Sequence, residues 1–311
     1  MKATERHPYP DNFEEFLDWF STDEDCEEYL EWVRWSNGFT CPKCGHTSCW
    51  NIQNKIRRCG KCRQLISVTN GTVFASSKKS LRLWFYVIWL LMAQKTGVSA
   101  QNLQDTFGFG SYQTIWGWLQ KLRSVMIREG RERLSGRIEL DETYIGGQQE
   151  GKRGRGAACK VLVLVAVEGY KRARLGRVRF RIVEKATYEA ITRFVSDYIE
   201  PGSIVVTDGL KSYQCLNSLN VTHEQQILSH ASPDVASNLE HVHLVISLVK
   251  RWMLGTLQGA VTPAHMAGYL DEFAFRFNRR LSTHRGKLFY RLIQQAISAR
   301  PKNIKDLYVH K

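Results

Sequence analysis

Two paired cysteine motifs constrain this chain more than any other feature. Residues 41–44 read CPKC and residues 59–62 read CGKC, with fourteen residues between the pairs. Each CxxC turn aims two thiolates at one point, and a hairpin between the turns brings the pairs together. Cys41, Cys44, Cys59 and Cys62 then complete a closed tetrahedral shell, which suits structural Zn²⁺ and leaves no open position for chemistry. A redox dithiol is the competing use, and two pairs at ribbon spacing argue against it. Eight cysteines with four so arranged also point to a reducing, cytoplasmic setting with metal rather than disulfides. His46 and Cys49 are not needed for the shell, and Cys26, Cys159 and Cys215 are expected to be ordinary buried thiols.

The surroundings of the ribbon are strongly charged. Between Cys41 and Asn70 stand six basic residues (Lys43, Lys55, Arg57, Arg58, Lys61 and Arg63) and no acid. An all-positive knuckle suits phosphate contact, although a zinc ribbon can equally bind protein. Residues 1–35 are the opposite, with eleven acidic and three basic side chains. Their net −8 means that the rest of a chain of net +14 carries +22. That front reads as two short amphipathic helices, FEEFLDWF and EDCEEYLEWVRW, with Phe13, Phe16, Leu17 and Phe20 on one apolar side of the first. It is expected to be a helical prop rather than a phosphate-binding surface. A chain this basic, at 311 residues, is long enough for several small domains, and a polyanion is its default partner. The longest apolar run, LWFYVIWLLMA at 83–93, is too short to span a bilayer and reads as a buried helix; no membrane partner and no secretory leader are expected.

From residue 80 to 130 the periodicity is helical, with helices expected at about 81–95, 99–106 and 111–127. Ser111 is a candidate N-cap. The short helix, glycine turn and second helix carrying Gln113, Thr114, Lys121 and Arg123 fit a helix-turn-helix, and a plain three-helix bundle fits as well. Trp116 and Trp118 are expected in the core.

After residue 136 the pattern changes to strands: RIELDETYIGG (137–147), KVLVLVAVE (160–168) and ARLGRVRFRIVE (173–184), the first two separated by a glycine-rich basic loop at 151–158. Residues 151–185 hold eleven basic and two acidic side chains. Arg177, Arg179 and Arg181, spaced by two, share one face and offer either a phosphate-facing edge or a charged, solubilising one. A helix, ATYEAITRFVSDYIE, precedes GSIVVTDG (202–209). This order predicts a mixed sheet with helices packed on it. Asp141 and Asp208 end apolar strands, where α/β proteins keep catalytic groups. If the strands are neighbours, the carboxylates converge and provide the oxygen ligands that Mg²⁺ requires.

DETYIGG, TDGLKSY, HVHLVISLVKRWMLGT and YLDEFAFRFNRR, in that order, resemble the insertion-sequence DDE-type transposases with an N-terminal zinc ribbon, over nearly the whole chain. The resemblance implies a ribonuclease-H-like catalytic domain, Mg²⁺ or Mn²⁺ dependence, and cutting and joining of element ends. It carries the metal ligands onto Asp141 and Asp208. The third ligand, usually an acid, departs: the helix starting near Asn238 offers His243, with Lys250 seven residues on. Seven residues turn a helix by roughly 700°, so both lie nearly on one line. That matches the family's ligand followed by a phosphate-binding lysine, in the branch where histidine is the third catalytic residue. Imidazole suits Mg²⁺ poorly and softer metals better. Glu240 competes for the position, although an acid in a first helical turn also simply complements the dipole. His241 is expected at the surface, Glu142 on the face opposite Asp141, and Lys250 and Arg251 on DNA phosphate. Tyr269, Phe273 and Phe277 read as core; Arg276, Asn278, Arg279 and Arg280 could reach DNA or stay solvated.

The fold expectation is therefore multidomain α+β. It comprises an acidic helical prop (1–35), a zinc ribbon (36–75), a helical, HTH-like DNA-binding region (80–130), a ribonuclease-H-like domain (136–285) and a C-terminal basic helical tail (286–311). The expected function is a DNA transposase acting on double-stranded DNA, its own terminal inverted repeats and the target, as a homo-oligomer. The alternatives are a non-catalytic zinc-ribbon regulator derived from a transposase, and a nuclease that cuts without joining.

Overall fold

A computed structural model describes residues 2–52, 55–128, 130–146, 160–170, 174–226, 239–259 and 261–299. The basic loop at 151–158, Cys159 and the last residues of the C-terminal tail lie outside them. One compact unit draws on Met1–Arg128 and Leu281–Lys311, and a second on Glu129–Arg280.

In the first unit, α1 (Phe13–Trp19) starts where Asn12 accepts the amide of Glu15, and α2 (Asp23–Arg34) where Thr22 and Asp25 form a reciprocal capping box. Of the expected apolar side of α1, Phe16 and Phe20 are buried, whereas Phe13 and Leu17 stay largely exposed and Trp19 takes a buried place. The ribbon is a three-stranded antiparallel sheet of β1 (Cys49–Asn51), β2 (Arg57–Cys59) and β3 (Leu65–Ile66). α2 docks on it by ion pairs and carbonyl contacts. Arg57 reaches Glu31 at 3.4 Å and lies over the Trp35 ring, Lys55 reaches Glu28 at 3.7 Å, and Arg34 donates to the carbonyls of Val68 and Asn70.

Helices α3 (Leu81–Ala93), α4 (Ala100–Phe107) and α5 (Tyr112–Arg123) follow at the expected places. Ser80 and Ser99 cap the first two; Ser111 sits at the N-cap position of α5, but its hydroxyl donates to Gln113 instead of capping. α4 ends on Gly108 in the left-handed conformation, φ +63°, where a side chain would be strained. The apolar run of α3 is buried, with Trp84 stacked on Trp118 of α5 at 3.6 Å between ring centroids. No helix among the described residues is long and apolar enough to cross a membrane.

The second unit is built on a five-stranded mixed sheet. Its strands are β4 (Arg137–Gly146), β5 (Lys160–Tyr170), β6 (Arg174–Val183), β7 (Ile204–Thr207) and β8 (Thr222–Gln225), in the order β6-β5-β4-β7-β8. The β4–β5 and β5–β6 pairs are antiparallel; β4–β7 and β7–β8 are parallel. The apolar alternation of β4 gives each face its own core. Ile138 and Leu140 join α6 (Tyr188–Tyr198) and Tyr213 on one side, while Ile145 joins α7 (Glu240–Leu257) and α8 (Met266–Phe277) on the other. The strand β8, with the polar sequence THEQ, has no counterpart in the strands expected from periodicity.

After α8 the chain returns to the first unit as α9 (Arg285–Ser298). Residues expected as a basic tail thus supply core: Phe289 is fully buried among Phe16, Phe20, Phe85 and Trp89. A Cβ at Gly286 would fall 1.7 Å from the carbonyl oxygen of Pro10, so this close approach requires glycine.

Candidate active site and zinc centre

The four ribbon cysteines meet as their spacing predicts. All four sulfurs lie within 4.8 Å of one another, with Cys41–Cys62 and Cys44–Cys59 each at 3.6 Å. Zinc–sulfur bonds of about 2.3 Å at tetrahedral angles set sulfurs about 3.8 Å apart, so the cluster fits a structural zinc. Burial pushes the Cys59 thiol up, but the amides of Cys62 and Lys61 aimed at it outweigh that and bring it down to about 6. His46 bonds Ser48 instead, and Cys49 packs against the ribbon core. Cys26 is fully buried, as expected of an inert thiol, and Cys215 is half-buried.

The catalytic candidates assemble on the second sheet. β4 pairs with β7 in the register Arg137↔Ile204, Ile138↔Val205, Glu139↔Val206. Carried two residues further, that register sets Asp141 level with Asp208, which follows the last residue of β7. Asp141 does not end its strand, as the sequence suggested; β4 runs on to Gly146. It is the shorter partner β7 that stops there, at Thr207, with Asp208 in the turn that follows. The Leu210 amide donates to Asp208 Oδ1 at 3.0 Å, and the Glu142 amide to Asp141 Oδ1 at 2.8 Å.

α7 crosses β5 and β4 on the face Asp141 occupies. His243 Nε2 lies 3.4 Å from Asp141 Oδ2, and one strand residue pair along, Lys250 Nζ donates to Thr143 Oγ1 at 2.8 Å. The seven-residue spacing thus delivers both side chains to one edge of β4. Lys250 and Arg251 are both exposed. Burial, which lowers the Lys250 ammonium, is reinforced by Lys160 and opposed by Asp141. Glu240 is exposed in the first turn of α7. Glu142 turns to the opposite face and accepts the Tyr213 hydroxyl at 2.7 Å. The ligand atoms of Asp141, Asp208 and His243 do not all fall within 4.8 Å of one another, unlike the cysteines. Electrostatically, the place suits a cation: burial, reinforced by the charges of Glu142 and Asp208 and only partly offset by the Glu142 amide and by His243, pushes the Asp141 carboxyl up to about 6.

His241 is not at the surface. Its Nδ1 lies 2.5 Å from Glu139 Oε1, the other Glu139 oxygen accepts the Val242 amide at 2.9 Å, and Glu139 is buried. Leu239, at the N-cap of α7, has no side-chain acceptor, so a sheet carboxylate caps this helix. Glu139 and Asp141 share a strand face by simple alternation, the one signal that could have found this anchor.

The arginine stripe on β6 needs correction. Its face is the one α6 covers. Arg177 holds buried Glu168 bidentately, at 2.6 and 2.8 Å, and pairs with Glu132 at 2.9 Å. Arg179 is buried and donates to backbone carbonyls; Arg181 pairs with Asp197 at 2.7 Å and lies over Tyr198. These three build the domain rather than a phosphate-binding edge. The same holds at the end of α8. Asn278 bonds both polar groups of Val178, Arg280 reaches the carbonyl of Gly176, and Arg276 pairs with buried Glu272 at 3.3 Å. In α5, Lys121 and Arg123 are buried, leaving Gln113 and Thr114 exposed; Trp118 is core and Trp116 only partly so. In the ribbon, Arg57 is half-buried against Trp35 and Glu31, whereas Arg58, Lys61 and Arg63 are exposed.

A mixed sheet carrying Asp141 and Asp208 on neighbouring strands, in a chain with a Cys₄ ribbon, defines a protein with a metal-binding module and a candidate phosphoryl-transfer site. Comparison with known proteins agrees. Residues 133–278 match the ISXO2-like transposase domain and residues 21–64 the transposase zinc-ribbon domain, together more than half of the chain. A protein of the transposable element ISH50 of Halobacterium salinarum is 24% identical over 282 residues, covering 83% of this chain and 93% of the relative. The chain belongs to the insertion-sequence transposases that carry an N-terminal zinc ribbon.

Proposed function

We propose that this chain cuts the ends of its own element and joins them to target DNA by cation-dependent phosphoryl transfer. The support for the proposal is that the β4–β7 register, carried on, sets Asp141 level with Asp208, and that α7 brings His243 Nε2 within 3.4 Å of Asp141. Asp141 and Asp208 would hold Mg²⁺ or Mn²⁺, with His243 as the third, histidine-type ligand of a DDH set. When bound, a divalent cation neutralises charge on the scissile phosphate and activates the attacking oxygen, first of water and then of the 3′-hydroxyl. The protein contributes placement and charge. Backbone amides fix one oxygen of each aspartate, and Lys250, beside Thr143, offers an ammonium to the phosphate of the bound strand.

Strand order and the helices on both faces support a ribonuclease-H-like architecture for this unit. Double-stranded DNA, as element terminal inverted repeats and as target, is the partner. Arg58, Lys61 and Arg63 of the ribbon, the exposed Gln113 and Thr114 of an HTH-like α4–α5 pair, and Arg251 are its contacts. A homo-oligomer that holds two ends together in the cytoplasm completes the proposal.

Purified protein incubated with its element's terminal duplex is expected to give cut ends and joined products in Mg²⁺ or Mn²⁺. Cleavage should be faster in Mn²⁺, because imidazole tolerates the softer ion better. Asp208→Asn should keep end binding and lose cleavage by roughly three orders of magnitude. Undiminished cleavage by that variant removes the proposed site; cutting without joining makes the protein a nuclease.

A further inference from the structure

The outward face of the ribbon sheet carries a solvent-exposed row of large side chains. Trp50 lies opposite Arg58, and Arg58 opposite Leu65, across the three strands. Trp50 is 49% exposed and Leu65 48%, with Arg58 exposed between them and Ile52 exposed two residues beyond Trp50. The Arg63 guanidinium lies 4.7 Å from the Trp50 ring centroid. Alternation sends Cys59 and Ile66 the other way, into the core beneath the metal, so the row is not part of what holds the ribbon together.

A half-exposed tryptophan and two exposed aliphatics cost hydration free energy and serve folding little, which marks an interaction surface. The chemistry of the partner follows from the charge. No acid occurs between Cys41 and Asn70, and the two basic residues that meet acidic α2, Lys55 and Arg57, point away from this face. Those left in solvent are Lys43, Arg58, Lys61 and Arg63. A second copy docked face to face would set these cations against their own kind. A phosphate backbone complements them, and sugar or base edges complement the ring and the aliphatics between them.

We infer that this face is the ribbon's DNA-recognition surface, with Trp50 and Leu65 seated in a groove of the duplex and Arg58 and Arg63 on the flanking phosphates. This deepens the proposed function and rests on it. It assigns Trp50, which no motif singles out, as a contact that salt does not screen.

Binding of the full chain to its terminal duplex, followed by fluorescence anisotropy over a range of salt concentrations, separates the terms. Trp50→Ala is expected to weaken binding about tenfold with an unchanged salt slope, whereas Arg58→Ala should reduce the slope by about one. Lys55→Ala should change neither. Zinc content reports whether each ribbon is intact. If Trp50→Ala loses zinc, Trp50→Phe and Leu65→Ser decide in its place, the first retaining most affinity and the second losing several-fold. Wild-type affinity in a zinc-replete Trp50→Ala, or in Leu65→Ser, overturns the inference while leaving cleavage, and so the enzyme reading, intact. Loss of self-association with unaltered DNA binding overturns it in favour of a protein partner. Absence of cleavage by the wild type would instead count against the enzyme reading alone.

Discussion

The Asp141 carboxyl carries an electrostatic cost in the cation-free protein. Burial, then the negative charge of Glu142 and, less strongly, of Asp208, raises it from 3.8 to about 6. With the folded value above the unfolded one, the folded state binds the extra proton. Stability is therefore lost as pH rises from about 4 to about 6 and stays lost above that, by an amount on the order of 2–3 kcal/mol. Asp141→Asn removes the charge and keeps an acceptor for the Glu142 amide. It is expected to raise thermal stability at pH 7.5 in cation-free buffer, with the gain shrinking toward pH 4.5; a gain independent of pH would refute the electrostatic cause. Such a cost is what a site selected for ligand rather than for stability displays. The places of both aspartates on the sheet were legible in the sequence because each follows an apolar strand pattern, and the approach of His243 and Lys250 to β4 because seven residues bring a helix back to the same side. His241 and Glu139 were not legible together. Which flank of α7 meets the sheet is settled by tertiary docking, and nothing local to HVH reveals it.

At the scale of elements, α7 is the part whose placement matters most, and its first turn is held by β4 rather than by its own sequence. Glu139 supplies both the cap on Val242 and the partner of His241, two residues from His243 on the chain and two from Asp141 on the strand. Glu139→Ala removes a buried, fully bonded carboxylate and should cost about 3 kcal/mol. Hydrogen exchange at the amides of Val242 and His243 should quicken well beyond that of the helix centre. Uniform protection along α7 in that variant would show that the anchor is dispensable. Element types were mostly readable where a face is apolar: α3, α6, β4 and β5 announce themselves by period. The edge strand β8 does not, since THEQ is polar and its order comes from pairing with β7. The β6 arginines were misread for a related reason. A stripe spaced by two shows that three side chains share a face, but not that α6 and the carboxylates of Glu168 and Asp197 wait on that face.

For the whole molecule, the +14 net charge is not one diffuse basic field. The acidic front is spent partly on the ribbon through Glu31 and Glu28, and many arginines of the second unit are spent on carboxylates and carbonyls inside it. Among the described residues, exposed basic side chains include Arg58, Lys61 and Arg63 of the ribbon and Lys250 and Arg251 of α7, with others such as Lys78, Lys95, Arg137, Arg193 and Lys211 spread over further elements. The boundary between modules was only partly visible in the chain. The apolar period of 285–298 is plain in the sequence, but only the fold shows that it closes the first unit's core instead of trailing from the second. The proposed function turns on a single cation centre formed by Asp141 of β4, Asp208 in the turn after β7, and His243 of α7. The most direct measurement is Mn²⁺ binding to the zinc-loaded full chain, followed by electron paramagnetic resonance, with end cleavage assayed on the same samples of wild type, Asp141→Asn and Asp208→Asn. Both variants should keep their zinc and their DNA affinity while losing bound Mn²⁺ and cleavage together. If either variant binds Mn²⁺ and cuts as the wild type does, the two carboxylates do not form one centre.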